Sequence, residues 1–495
     1  MGPVTGSAAT GDGGATALRM GTPAGRWVLI TTVLGSGLAL LDSTVVNVAL
    51  ERIGSDFGAS FAGLQWTVNA YTLTLAGFIL LGGSLGDRFG RRRIFLIGVV
   101  WFAVASALCG FAPSIEVLVA SRALQGVGGA LLTPGSLALI SASFRGPDRA
   151  AAIGAWSGLA GVAGAVGPFV GGWLVEWNWR AVFLINLPLA AIVLVAAVKH
   201  VPESRDESAV QHLDVPGTVL ALLGLGALTW SLTEAGTAGA SGVVLTTGGV
   251  GLAALVAFAL VERRSRSPLV PPDLFANPRF TALNIVTLLM YAALGVLFVL
   301  LVLQLQVVAG FSPLGAGVST LPITVIMLLL SARMGRLAAR IGPRTPMTIG
   351  LVVAATGMLL LTRIGPDASY WTEVLPAVAL FALGLSATVA PLTATVLDAA
   401  DDRHAGVASG VNNAVARAAG LLSVAVIPAV SGISGADYTD PVSFSAGYHR
   451  AVVIAACLLL GAAVLTFGLV RTPSRPGTEH PHSCDVCGPR PHASS

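Results

Sequence analysis

The segment GSLGDRFGRRR, at residues 83–93, concentrates charge between two uncharged segments. Five of its eleven residues are charged. An uncharged run extends from Phe57 to Gly86 before it, and another extends from Ile94 to Ile115 after it. About 20 apolar residues are enough for a helix to cross a bilayer. The pattern therefore indicates a polar turn between two membrane-spanning helices.

The composition extends this interpretation to the whole chain. Its 495 residues are 54% hydrophobic and 11% charged, with a mean hydropathy of +0.81, whereas a soluble domain carries about 25% charged residues. A large soluble enzyme is therefore excluded, and a membrane protein is predicted. The net charge of +4 and the pI of 9.1 do not indicate nucleic-acid binding, because the basic residues lie in short scattered clusters.

Uncharged runs, separated by breaks that contain glycine and proline, predict fourteen spans and an all-α polytopic membrane protein. Helices are expected because lipid cannot satisfy backbone polar groups. The run from Phe280 to Ala332 is too long for one helix, and AGFSPLGAG at 309–317 breaks it. The predicted spans lie near 27–50, 64–84, 94–112, 117–141, 150–175, 181–199, 215–234, 242–261, 281–308, 314–332, 346–363, 373–396, 405–430 and 450–470.

The distribution of basic residues predicts the orientation. With the N-terminus inside, 22 of the 28 basic residues fall in inner segments and four in outer segments, while Arg122 and Arg417 lie within spans. Inner loops of membrane proteins are enriched in Lys and Arg. Both termini are therefore predicted to be cytosolic, in a multi-pass protein of the bacterial inner membrane.

The spans divide the chain into five predicted parts. A disordered cytosolic tail (1–26) is followed by a six-helix bundle (27–200), a linker with two inserted helices (201–268), a second six-helix bundle (269–470) and a cytosolic tail (471–495). The last tail contains HPHSCDVCGPRPH, whose Cys-x-x-Cys and His residues could supply the four ligands of zinc. We interpret it as a disordered segment rather than a metal site, and no cofactor is expected.

A partial repeat of the opening stretch supports two related halves. GSLGDRFGRR (83–92) and GRLAARIGPR (335–344) share Gly, Leu, Arg, Gly and Arg at equal offsets. The first lies between spans 2 and 3 and the second between spans 10 and 11, on the same predicted side. Parallel repeats of this kind build one class of secondary transporter, in which substrate binds near the midplane between the halves.

The repeated turn is predicted to act as a gate. An acidic residue can accept hydrogen bonds at a helix N-terminus or pair with an arginine, and glycines allow a sharp turn and close packing. A simpler topology anchor explains the basic residues but neither the acidic residue nor the glycines. The predicted gate residues are Gly83, Asp87, Arg88, Gly90, Arg91 and Arg92.

Four further stretches carry recognisable motifs: LDSTVVNVAL (41–50), LVASRALQGVGGALLTP (118–134), GVAGAVGPFVGGWL (161–174) and ASGVNNAVARAAG (408–420). Together with the opening stretch, which is similar to a cytoplasmic-loop motif, they resemble the major facilitator superfamily, in particular its fourteen-span drug:proton antiporters. Glu51 departs from the first-span motif, which usually continues with proline.

Asp42 and Arg122 are the predicted proton-coupling residues. A carboxylate inside a span is costly, faces a cavity and marks function, and burial disfavours its charged form. Arg122, with Gln125 and Gly126 in the fourth-span motif, could lower the proton affinity of a nearby carboxylate. The alternatives are a structural acid at Asp42, bonded to its neighbours, and a static ion pair at Arg122.

Span 5 and a set of polar or aromatic residues complete the candidate sites. The antiporter motif of span 5 is predicted to form a close-packed seam between the halves, because small residues let helices approach. Its residues are Gly161, Gly164, Gly167, Pro168, Gly171 and Gly172. Candidate cavity residues, each also compatible with packing or gating, are Trp66, Tyr71, Tyr291, Asn412, Asn413 and Arg417.

The combined prediction is a monomeric proton-coupled antiporter that exports hydrophobic or amphipathic drugs or antibiotics by alternating access. The chain has no phosphate-binding Gly-Lys-Ser/Thr loop, so protons are its expected energy source, and an enzyme is not indicated. Its expected partners are a small-molecule substrate, protons and the lipid bilayer, without nucleic acid. The alternatives are an uptake symporter, an exporter of one metabolite, and a transporter-like receptor or scaffold.

Overall fold

A computed structural model of the chain describes residues 18–205, 214–239, 241–265, 270, 272–399, 405–435 and 437–470. The last predicted tail, with its Cys-x-x-Cys sequence, lies outside the described residues, as does most of the first. The described residues are helical and contain no β-strand. One isolated backbone bridge joins Leu18 and Phe144.

Fifteen α-helices occur in the described residues. They are α1 (Pro23–Phe57), α2 (Phe61–Phe89), α3 (Arg91–Gly110), α4 (Ile115–Ser143), α5 (Gly146–Trp177), α6 (Ala181–Leu184), α7 (Asn186–His200), α8 (Val215–Ala238), α9 (Gly242–Arg264), α10 (Pro278–Leu303), α11 (Pro313–Ile341), α12 (Arg344–Leu360), α13 (Leu375–Asp398), α14 (Ala405–Val430) and α15 (Pro441–Leu469). Short 3₁₀ or π segments lie at Pro272–Ala276, Gln304–Val308, Leu361–Arg363, Tyr370–Val374 and Asp437–Thr439.

Polar caps followed by proline determine where several helices begin. The Asn277 side chain accepts a hydrogen bond from the Arg279 amide (2.9 Å) at the start of α10. Ser312 does the same for the Gly315 amide (3.0 Å) at the start of α11. Such caps satisfy free amides at a helix N-terminus, where proline is also favoured. The break between α10 and α11 therefore falls at the residues that the sequence marks.

Twelve helical segments among the described residues are long and apolar enough to cross a membrane, or thirteen if α2 is counted. The fourteen predicted spans are therefore not all confirmed. Helix α2 bends by 48° between Ile79 and Leu81, so neither half alone is a full span. Helix α5 is 32 residues long and is not among these twelve segments. The short α6 and α7 together form one span, Ala181–His200.

Two helical bundles pack side by side. Helices α1–α7, the N-terminal bundle, contact one another, with α2 on α4, α3 on α4 and α1 on α5 as major pairs. Helices α10–α15, the C-terminal bundle, pack similarly, with α12 on α13 and α10 on α14. The bundles meet where α5 contacts α11 and α2 contacts α14. Helices α8 and α9 pair with each other, and α8 lies against α2 and α14.

The repeated turn has the same backbone geometry in both bundles. Gly90 separates α2 from α3 with φ +109°, and Gly342 ends α11 before α12 with φ +88°. These glycines occupy equal offsets in 83–92 and 335–344. Positive φ angles are readily accessible to glycine but strained for other residues. The turns thus support the internal duplication that the sequence indicates.

The charges of the first turn are bound within the N-terminal bundle. Asp87 accepts a hydrogen bond from Arg91 Nε at 2.8 Å. The carboxylate of Glu203, which follows α7, accepts from the backbone amides of Arg92 (3.0 Å) and Arg93 (3.2 Å). An acidic group in this position satisfies free amides and the dipole of α3. The turn is thereby attached to the end of α7.

Two further motif residues make local packing contacts. Gly83 faces α4, since a Cβ at this position would lie 3.6 Å from the Pro134 side chain. The Arg88 guanidinium lies over the Phe89 ring, 5.1 Å from its centroid. The first contact joins α2 to α4, and the second lies within α2.

The substitution Gly90→Ala is expected to lower the free energy of unfolding by about 1–3 kcal/mol, the cost of placing a residue with a Cβ in a sparsely populated region of positive φ. The new Cβ would also lie 2.9 Å from Glu203 Oε1. Reversible unfolding in mixed detergent micelles measures the effect. Gly86→Ala is the control, because its Cβ would meet nothing closer than Arg91 Cα at 3.9 Å. Equal stability of native and Gly90→Ala proteins would contradict the argument.

Candidate functional site

A buried ion pair joins α1 to α4 inside the N-terminal bundle. Arg122 Nη1 lies 2.5 Å from Asp42 Oδ2, and the side chains are 1% and 0% exposed. Arg122 Nε donates to the Thr67 carbonyl at 3.0 Å, and its guanidinium lies 4.4 Å from the centroid of the Tyr71 ring. Gly126 allows α4 to lie this close to α2, because a Cβ at this position would overlap the Tyr71 carbonyl. The two predicted coupling residues are therefore in direct contact.

Three uncharged side chains complete the network around the pair. Gln125 accepts from Arg122 Nη1 (2.6 Å) and donates to Asp42 Oδ1 (2.8 Å). Asn186 donates to the same Asp42 oxygen at 2.9 Å. Ser106 Oγ accepts from both amides, at 2.6 Å and 3.2 Å. Donors thus reach both oxygens of the Asp42 carboxylate.

Asn186 and Ser106 are network residues that our sequence analysis did not identify. The sequence contains a signal for Asn186, because it is the one amide side chain in the apolar run from Ala181 to Val198. Polar residues in spans usually face the protein interior. Ser106 gave no comparable signal, since a serine in a span commonly bonds its own helix backbone.

A central cavity of about 300 Å³ lies between the bundles. Asp42 is not part of its lining, although its neighbours Ser43 and Thr44 are. The ion pair and the cavity therefore lie on different sides of α1. The lining residues are Ser43, Thr44, Asn47, Val48, Val68, Asn69, Thr72, Gly164, Pro168, Gly295, Phe298, Val299, Val302, Thr320, Thr324, Arg417, Gly420, Leu421 and Val424.

The candidate cavity residues occupy different places. Arg417 lines the cavity, whereas Trp66, Tyr71 and Tyr291 are not among its described lining residues. The side chain of Asn412 instead donates hydrogen bonds within the C-terminal bundle, to Asn284 Oδ1 (3.2 Å) and Thr287 Oγ1 (2.8 Å). Asn413 is exposed and donates to the Ser409 carbonyl at 3.1 Å.

The glycines of α5 sit against helices from both bundles. A Cβ on Gly167 would overlap Thr44 Oγ1, and one on Gly171 would lie 3.1 Å from Val45 Cα, so both positions keep α5 on α1. A Cβ on Gly172 would lie 2.5 Å from Leu314 Cα of α11.

The other residues of this motif extend the contact between the bundles. The carbonyl of Pro168 approaches Gly317 of α11 so closely that a Cβ on Gly317 would overlap it. Gly164 and Pro168 both line the cavity, and Gly161 lies within α5. Helix α5 therefore borders the cavity and contacts both bundles.

Hydrogen bonds connect the bundles at the end of the molecule that carries the α1–α2 connection. We call this the Tyr438 end, and the opposite side, with the α2–α3 turn, the Asp87 end. Tyr438 Oη donates to the Ala59 carbonyl (2.5 Å), and the Phe61 amide donates to the Gly435 carbonyl (2.8 Å). Two glutamine side chains make the other bonds. Gln306 Nε2 donates to the Val48 carbonyl (3.1 Å), and Gln65 Nε2 donates to the Val424 carbonyl.

Two helical bundles around a central cavity, with twelve described segments long and apolar enough to cross a membrane, define a multi-pass membrane transporter. Comparison of the sequence with family models then identifies the family. The chain belongs to the Major Facilitator Superfamily, whose model matches residues 32–424. The resemblance noted in the sequence is thereby confirmed.

Curated relatives are antibiotic resistance and export proteins. The puromycin resistance protein of Streptomyces alboniger is 37% identical over 458 residues, covering 90% of this chain and 91% of its own. The methylenomycin A resistance protein of Bacillus subtilis is 35% identical, covering 88% and 91%. A cephamycin export protein of Amycolatopsis lactamdurans is 36% identical, covering 87% and 89%.

Solved structures share the fold at low sequence identity. A peptide transporter in complex with sulfate superposes with a TM-score of 0.64 at 14% identity, covering 89% of this chain and 95% of its own. A bacterial homologue of the human lysosomal transporter Spinster gives 0.63 at 18% identity, covering 90% and 97%. These likenesses establish the transporter fold.

Proposed function

We propose that the protein is a proton-coupled antiporter that exports hydrophobic or amphipathic drugs or antibiotics. The observation that carries the proposal is the buried Asp42–Arg122 pair, one helix width from a central cavity between two bundles. Ionisable residues within a membrane usually serve ion or substrate movement. The resistance and export proteins among the relatives support outward transport of antibiotics.

Proton exchange in this mechanism takes place at the carboxylate of Asp42. Donors from Arg122, Gln125 and Asn186 contact its two oxygens. A movement of α1 against α4 would remove these donors and open the carboxylate to proton exchange. Protons then enter from one side and leave to the other as the bundles alternate. One charge crossing 100 mV supplies about 2.3 kcal/mol.

The proposal includes a topology. Helices α2 and α5 would complete fourteen spans, with α8 and α9 inserted between bundles of residues 27–200 and 269–470. Both termini would be cytosolic, in a bacterial inner membrane. The Tyr438 end then faces outward, and the hydrogen bonds at that end close the outer side of the cavity. We expect a monomer, because each chain contains both bundles and a complete cavity.

The test is antibiotic accumulation in an efflux-deficient bacterial host. Expression of the native chain is expected to lower the cellular content of a hydrophobic antibiotic, and collapse of the proton gradient is expected to restore it. Increased accumulation would instead indicate uptake, the second candidate transport direction. A receptor or scaffold would bind ligand without flux, so an absence of counterflow in vesicles would overturn the transport proposal.

A further inference from the structure

Arg417 is the one charged side chain among the described residues that line the central cavity. It belongs to α14, near the middle of the helix. Its Nε is buried without a hydrogen-bond partner, and the described part of the chain provides it with no ion pair. A buried cation normally has a counter-charge, since desolvation is costly. The cavity therefore has an uncompensated positive charge.

The charge of Asp42 does not offset Arg417. Asp42 is in direct contact with Arg122, and this pair is neutral overall. It also lies outside the cavity lining. A ligand in the cavity is therefore exposed to the field of Arg417, because the negative charge on the other face of α1 is already neutralised.

Two amides in the same cavity also have free hydrogen-bonding capacity. Asn69 of α2 is 1% exposed, and neither its Nδ2 nor its Oδ1 has a partner in the described structure. Asn47 of α1 has a buried Oδ1 without a partner. Buried polar groups are nearly always bonded, so each such exception requires an explanation. A polar ligand would supply the missing partners.

On the basis of the proposed export function, we propose that this cavity selects substrates with one negative charge on an apolar ring system. Arg417 would bind a carboxylate or an acidic hydroxyl group through charge-assisted hydrogen bonds. Asn69 and Asn47 would bond neutral polar groups of the same molecule. Phe298, Val299 and neighbouring lining residues provide an apolar wall for its rings. A cationic substrate is disfavoured, since none of the described lining residues has a carboxylate to balance it.

The test measures equilibrium binding to the full-length protein in phosphatidylcholine nanodiscs. Three probes share one ring system and differ in charge: naphthalene carboxylate, naphthalene carboxamide and naphthylmethylammonium. The native protein is expected to bind the carboxylate about tenfold to a hundredfold more tightly than the carboxamide, as for a hydrogen bond to a charged group. Arg417→Gln is expected to abolish this preference, and Arg417→Lys to retain part of it.

Arg333→Gln is the matched control, because Arg333 lies on α11 outside the cavity lining and donates to the Leu329 carbonyl. Three results with the native protein alone would overturn the proposal. The ammonium probe could bind most tightly, the three probes could bind equally, or none of them could bind. A preference that survives in Arg417→Gln would also overturn it. Binding needs no proton gradient, so a failure of export alone would leave this result intact.

Discussion

Replacement of Asp42 by Asn is expected to reduce substrate-triggered proton movement to the level of protein-free vesicles. Asn has nearly the same shape and can still accept from Gln125 or Asn186, which both donate to Asp42 Oδ1. It cannot bind and release a proton, so the coupling step is lost while the fold is retained. Purified protein in sealed liposomes that contain a pH-sensitive dye measures the effect.

The control for this experiment is Asp56→Asn on the same helix. Asp56 lies at the Tyr438 end of α1, is 49% exposed and is bonded to Arg180 Nη1 at 2.9 Å. Since this carboxylate is outside the buried network, proton movement is expected to continue in the control. Native-like dye responses from Asp42→Asn would rule out Asp42 as the coupling residue and remove the main support for antiport.

The substitution Arg122→Gln is expected to lower the free energy of unfolding by about 3–5 kcal/mol, because it leaves a buried charge without its partner. The remaining contacts of Asp42, from Gln125 and Asn186, are neutral donors. The double variant Asp42→Asn with Arg122→Gln removes both charges and is expected to recover most of the loss. Reversible unfolding in mixed detergent micelles measures both variants.

An exposed ion pair supplies the comparison for Arg122. Arg180 pairs with Asp56, with side chains 32% and 49% exposed. Exposed pairs contribute about 0–1 kcal/mol, so Arg180→Gln is expected to change stability little. A double variant no more stable than Arg122→Gln alone would contradict the expectation, since the loss would then come from packing rather than from an unpaired charge.

Much of the fold was predictable because lipid imposes a strong constraint on sequence. Long uncharged runs and the glycine- and proline-containing breaks between them are local signals, and they located most of the helices. The span count was not fully confirmed. Helix α2 bends between Ile79 and Leu81, and hydropathy does not record such a bend.

The candidate site was predictable in its types of residue but not in its contacts. A charge inside a span is conspicuous, so Asp42, Arg122 and Arg417 were identified from sequence. Their different surroundings were not, because those depend on which face each helix turns to its neighbours. Tyr71 illustrates this point: an aromatic candidate for the cavity lies beneath the Arg122 guanidinium instead.

The membrane class and the repeated charged turn were predictable from local composition and spacing, and the family from the resemblance of short motifs. The contacts of the buried charges became clear only in the packed helices: Asp42 and Arg122 form a closed pair with Asn186, and Arg417 lines the cavity with no ion pair among the described residues. These contacts differ because a helix has several faces. Residues one position apart, such as Asp42 and Ser43, point to different neighbours, and only packing determines which neighbours those are.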